Sequence, residues 1–144
     1  MQIKEVSAKQ IRKLRHITLR QGKPFSTTTY KKDNFLETFH LAAFEKNKIV
    51  SCATFYPEAT KVFKSKKAYR LRGMATDLDF QKKGYGKKIM QEAFKKIQNK
   101  KGNLLWCNAR LIAVDFYKKL GLKTIGEKFN ISDIGPHYLM YIKL

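Results

Sequence analysis

The chain is poor in cysteine, in acidic side chains and in long apolar runs. Two cysteines in 144 residues rule out a disulfide scaffold. Cys52 and Cys107 each sit inside an apolar run, so both read as small buried hydrophobes in a reducing compartment. Neither has a His and an orienting amide beside it in sequence, which argues against a catalytic cysteine. No stretch approaches the roughly 18 apolar residues of a membrane-spanning helix. The N-terminal residues carry Lys4 and Glu5 and no apolar run of signal length. The expectation is a cytoplasmic protein with no membrane partner.

Acidic residues number 11 against 31 Lys plus Arg, a formal charge of +20. A field of that size steers anionic partners. The excess is mostly lysine, spread as doublets from residues 31–32 to 118–119. Scattered lysines on solvated helix faces more often serve solubility than binding. The charge comes without an RNP-type aromatic pattern, a zinc-finger spacing or a helix-turn-helix, which argues against nucleic acid. No metal-ligand spacing is present either.

What the chain does have is a strand running into a glycine turn at the start of an amphipathic helix, between Leu71 and Gly86. Apolar residues recur at Ile89, Met90, Ala93, Phe94 and Ile97, with Lys87, Lys88, Gln91, Glu92, Lys95 and Lys96 opposite, the 3.6-residue period of a helix. Its N-terminus gathers unpaired N–H groups and the positive end of the helix dipole. Gly84 and Gly86 leave the main chain open to a pyrophosphate. The turn has neither the three glycines of a dinucleotide fingerprint nor the Gly-Lys-Ser/Thr of a P-loop.

At 43% hydrophobic, a chain of this length buries roughly 68–70% of its unfolded surface and reads as one domain over residues 1–144. The pattern predicts strands at 3–6, 37–44, 49–56, 68–76, 103–108, 123–130 and 138–144, with helices at 8–20, 84–98 and 111–120. A polar loop over 21–34 holds room for a fourth, poorly formed helix. Residues 57–67 form a basic connection bordering the candidate pocket. This order is α+β, a mixed sheet of about seven strands flanked by about four helices.

Two motifs carry a family resemblance. Gln81-Lys82-Lys83-Gly84-Tyr85-Gly86 resembles the Gln-x-x-Gly-x-Gly acyl-CoA signature of the GNAT (GCN5-related) N-acetyltransferases. Ala113, Phe116, Tyr117, Lys119, Gly121 and Leu122 look like the family's later Ala-x-x-Phe-Tyr-x-Lys-x-Gly-Phe helix, at the right distance. Leu14-Arg15-His16, Leu19 to Pro24, Thr38 to Ala42, and Gly135-Pro136-His137 with Met140 resemble an uncharacterised bacterial branch of that family. The resemblance covers nearly the full length.

It implies a GNAT acyl-CoA N-acyltransferase fold and acetyl-CoA as co-substrate, with no metal. The acceptor is a small-molecule or peptide amine, and the chain a monomer or homodimer. Backbone groups of Met74, Ala75 and Thr76 would pair with the pantetheine, and Gln81, Lys82, Lys83, Gly84, Tyr85, Gly86 and Lys87 would hold the phosphates. Gly73 would mark the bulge that opens this strand. Where the family usually has a pantetheine-contacting Asn, this chain has Arg110; Asn108 is the candidate substitute, and Arg110 a phosphate or substrate contact.

Tyr117 is, by resemblance, the general acid that protonates the leaving thiolate. The carboxylate base common on the cradle strand is missing from Ala68 to Thr76, which leaves water, His40, Glu37 or His137. That strand offers Arg70 and Arg72, on one face with Met74 and Thr76 by simple alternation. A pocket-facing Arg72 would select an acceptor with an anionic group beside its amine; the alternative is an ion pair with Asp77, Asp79 or Glu58. A second function class also stays open: a basic module that binds nucleic acid or senses CoA on the same fold without turnover.

Overall fold

Strand-forming runs of Phe, Val, Ile, Tyr and Thr build seven strands into one sheet, and the computed structural model describes residues 1–144. The order in the chain is β1 (Gln2–Val6), α1 (Ala8–Leu19), β2 (Phe39–Glu45), β3 (Lys48–Pro57), β4 (Ala68–Thr76), α2 (Tyr85–Asn99), β5 (Leu104–Arg110), α3 (Val114–Lys119), β6 (Lys123–Ile131) and β7 (Gly135–Lys143). In the sheet they run β1-β2-β3-β4-β5-β7-β6. All neighbours are antiparallel except β4 and β5. That parallel pair requires a crossover, which α2 supplies.

Three α-helices form rather than four. The loop after α1 makes only a single 3₁₀ turn at Phe25–Thr28. The segment expected as one helix over 111–120 begins as a 3₁₀ turn, Leu111–Ala113, before α3 starts at Val114. Three residues per turn instead of 3.6 shifts the phase. Val114 and Tyr117 are therefore buried, while Ile112 is 92% exposed.

The two long helices take opposite faces. On α2, Ile89, Met90, Ala93 and Ile97 are fully buried against Leu41, Ala53, Phe55 and Leu71 of the sheet. On α1, Ile11 and Leu14 pack against Ala42, Cys52 and Ala75. The basic connection 58–67 is tied down by the Trp106 Nε1 donation to the Glu58 carbonyl at 2.9 Å and by Phe63 against Tyr141, ring centres 4.3 Å apart.

The loop after α1 is fixed by a buried ion pair. Arg15, with no solvent exposure, donates to both carboxylate oxygens of Asp33 at 2.8 and 2.9 Å, to the Thr28 carbonyl at 2.7 Å and to the Thr54 hydroxyl at 2.6 Å. The Tyr30 amide also donates to Asp33, at 2.9 Å. Burial raises the Asp33 carboxyl, but the Arg15 and Tyr30 hydrogen bonds outweigh it and hold the group below its ordinary value. A depressed carboxylate stabilises the fold above its unfolded value and loses that contribution as pH falls through the folded one.

Removing one partner of such a pair strands the other charge in the interior. Arg15→Met is expected to lower unfolding free energy by about 3–5 kcal/mol, read as a lower urea midpoint at neutral pH. An unchanged midpoint would show that the pair contributes nothing to the fold.

Candidate active site

β4 and β5 are paired only at Ala68↔Leu104, Tyr69↔Leu105 and Arg70↔Trp106. Beyond these positions β4 continues to Thr76 and β5 to Arg110, and the strands diverge around a cleft of about 960 Å³. Two strand edges thus face each other with main-chain groups that no strand of the protein satisfies.

A bulge sits on the β4 side. Cys52 pairs with Ala75 and Thr54 with Arg72, so Ala53 faces two residues, Gly73 and Met74. Gly73 has φ +67°, and a Cβ there would lie 3.0 Å from the Tyr30 ring; only glycine fits. The extra residue reverses the alternation. Leu71 and Met74 face α2, and Ala75 faces α1. Arg70 and Arg72 therefore do not share one face with Met74 and Thr76, contrary to what simple alternation predicts.

The glycine turn opens into one side of the cleft. Gly84 caps α2 at φ +89°, and no side chain bonds to the helix's first-turn amides. A Cβ on Gly84 would meet nothing within 4 Å, whereas one on Gly86 would come within 3.1 Å of the Phe116 ring. Gly84 therefore keeps the turn open, and Gly86 lets α3 approach α2. Lys82 and Lys87 line the cleft; Lys83 does not, its ammonium lying 5.5 Å from the Phe80 ring centre. The Gln81 amide donates to the Thr76 carbonyl at 3.2 Å. The Tyr85 hydroxyl donates to Glu45 at 2.5 Å, so this residue offers a ligand only its main chain.

Tyr117 lines the cleft and is 5% exposed. Burial, reinforced by Cys107, raises its phenol well above the ordinary value against the pull of Arg110. It stays protonated at neutral pH. Burial pushes both thiols, Cys52 and Cys107, up to about 12, which leaves neither as a nucleophile at neutral pH. Asn108 and Arg110 also line the cleft.

The histidines part company. His137 lines the cleft, and its Nδ1–H donates to the Gly135 carbonyl at 2.8 Å. In the neutral ring this leaves Nε2 as the acceptor. His40 lies outside the cleft, with Nδ1 at 2.7 Å from the Thr54 hydroxyl and Nε2 donating to the Asp33 carbonyl at 2.9 Å. Both nitrogens are occupied, so His40 belongs to the Arg15 network and not to the site. Glu37 is also outside, bound to Lys67 at 2.6 Å on the surface. The 57–67 connection contributes nothing to the lining.

Arg72 does line the cleft, its guanidinium 4.1 Å from the Tyr30 ring centre, and none of the carboxylates expected to neutralise it does so. Asp77 binds Lys48, and Glu58 binds Lys32 and Arg70. Sequence reading missed Arg20, Tyr30, Ile131 and Ile134, which line the same cleft. Arg20 caps the end of α1 and the others come from loops and a strand end, and no local signal marks them as site residues.

The fold is shared with known proteins. Residues 8–122 match the Acetyltransferase (GNAT) family. The chain belongs to the GNAT acetyltransferases. An uncharacterized N-acetyltransferase of Bacillus subtilis, YitI, is 34% identical over 141 residues, spanning 98% of this chain and 95% of that one. An aminoglycoside 6'-N-acetyltransferase complexed with coenzyme A is similar in structure, with TM-score 0.79 at 15% identity over 99% of this chain and 97% of that chain. The NatC complex bound to Gag peptide and CoA gives TM-score 0.75 at 14% identity over 100% and 99%. As a GNAT enzyme the protein is an acetyl-CoA-dependent acyltransferase. No helix is long and apolar enough to cross a membrane, and no three His, Cys, Asp or Glu side chains are grouped to hold a metal ion.

The turn predicts a graded response. Gly84→Asp adds a negative charge at an open position beside the α2 amides, and acetyl-CoA affinity is expected to fall ~10-fold or more. Gly22→Asp, at another open glycine of positive φ (+80°), carries the same backbone cost and should leave that affinity alone. Equal affinity in the two variants by isothermal titration would contradict the phosphate role of the turn.

Proposed function

We propose that this GNAT enzyme acetylates a primary amine by direct attack on the thioester, with Tyr117 as general acid. The observation that carries the reading is Tyr117, a buried residue of the cleft lining whose phenol burial holds protonated. Acetyl-CoA supplies the activated acetyl thioester. The first-turn amides of α2, with Lys82 and Lys87, would hold its phosphates. The free edge of Met74 to Thr76 would pair with the pantetheine amides, and Asn108, which lines the same cleft, would contact that arm from the β5 side.

Acyl transfer needs a proton removed from the amine, a donor to the carbonyl oxygen and a proton for the leaving sulfur. Main-chain N–H groups near Met74 and Ala75 serve the oxygen. Tyr117 serves the sulfur. His137 is the base that best suits the first task, because its Nδ1–H bond to Gly135 fixes the tautomer in which Nε2 accepts a proton. His40 and Glu37 have no access to this step.

Tyr117→Phe keeps the ring and removes only the proton donor. Turnover with the best acceptor is expected to fall by ~10²-fold or more, with acetyl-CoA affinity little changed. Wild-type turnover would return Tyr117 to a packing role. Acetyl-CoA binding without thiol release for any amine would favour a CoA sensor over an enzyme.

A further inference from the structure

The cleft lining holds two sets of cationic residues, with Arg70 and Lys119 besides, and no acidic residue. Lys82 and Lys87 belong to the glycine turn and face the phosphates of the proposed co-substrate. The second set, Arg20, Arg72 and Arg110, comes from the end of α1, from β4 and from the end of β5. Cross-strand partners share a face, so Arg110, opposite His137 in the β5–β7 register, stands beside the proposed base.

These three arginines differ from the others near the site. Arg15 has Asp33 and Arg70 has Glu58, but no carboxylate lies within ion-pair distance of Arg20, Arg72 or Arg110. Arg20 and Arg110 converge instead on one neutral acceptor, the Leu19 carbonyl, each at 3.4 Å. Arg72 rests on one Tyr30 face at 4.1 Å while Arg15 rests on the ring at 4.0 Å. Two guanidiniums so near a single ring centre must take opposite faces. The Arg15 network thereby fixes Tyr30, and Tyr30 fixes Arg72. Burial and the neighbouring Arg20 both disfavour the charge on Arg110. Like charges gathered without a counter-ion are costly unless an anion completes them.

We propose that the acceptor is a small amine bearing a carboxylate or phosphate a few bonds from its nitrogen, its oxyanion held by Arg72, Arg110 and Arg20. This rests on the acetyl-transfer reading. Arg110 acts on the Tyr117 phenol and neighbours His137, so anion and reacting amine sit close together. The same cluster repels polycationic amines, which selects by exclusion as well as attraction. The acceptor of the aminoglycoside enzyme of similar fold is therefore not expected here.

The test is thiol release at saturating acetyl-CoA with matched pairs: O-phosphoethanolamine and ethanolamine, glucosamine 6-phosphate and glucosamine, 4-aminobutyrate and butylamine, with spermidine as the polycation. For at least one pair the anionic member should exceed its neutral partner by ~10-fold or more in kcat/KM. The better of the phosphate and carboxylate members names the anion. Arg72→Gln and, separately, Arg20→Gln should raise KM for that acceptor by ~10-fold or more, leaving acetyl-CoA affinity by isothermal titration unchanged; a merely structural arginine would not move KM alone. Equal or better rates with neutral amines or spermidine, or an unchanged KM in both variants, overturn the anion site and leave acetyl transfer standing. Acetyl-CoA binding with no thiol release from any amine overturns the acetyl-transfer reading, and the acceptor proposal falls with it.

Discussion

Three residue pairs join β4 to β5, and the rest of the site depends on where that pairing stops. Beyond Arg70 the two strands keep their outer partners, β3 and β7, but lose each other. Their inner edges would be a liability in an ordinary sheet, because unpaired N–H and C=O groups invite another strand. Here the gap opens into a cleft of about 960 Å³ that Tyr117 and Met74 line. The bulge at Gly73 contributes to the divergence by bending and twisting β4. It requires glycine because Tyr30 lies where a side chain would begin.

That contact links the gap to the buried Arg15–Asp33 pair. Arg15 holds Asp33, Thr28 and Thr54 and stacks on Tyr30, and Tyr30 in turn covers Gly73 and carries Arg72. One buried cation thus ties α1, the following loop, β3 and the bulge together. His40 adds to the same network through Thr54 and the Asp33 carbonyl. Burial keeps the imidazole below its ordinary value, the Asp33 contacts opposing only in part. A neutral ring there spares the interior a second positive charge beside Arg15.

Much of this was legible in the sequence. Period-2 and period-3.6 patterns located all seven strands and both long helices, since each buries one continuous apolar face. The α2 turn and Gly73 were visible because glycine marks backbone that other residues avoid. What failed were inferences that needed the third dimension. Simple alternation put Met74 with Arg72, yet one inserted residue reversed it. His40 looked like a base because its partners, Thr54 and Asp33, are distant in sequence. Tyr30 carried no motif, as its role comes from packing against Gly73 and Arg72 of β4. Gly86 was read as a phosphate glycine alone; that it also lets Phe116 approach α2 depends on a contact distant in sequence.

The charge of +20 also acquires a partial address, with lysines at the turn and unpaired arginines across the gap. On the reading proposed above, the free edges of β4 and β5 are completed by the acyl-pantetheine arm. Hydrogen–deuterium exchange of the wild-type protein with and without acetyl-CoA tests this most directly. Segments 73–76 and 107–110 should slow together on addition, along with the first turn of α2. Slowing confined to the α2 turn, with the two strand edges exchanging as before, would contradict the claim.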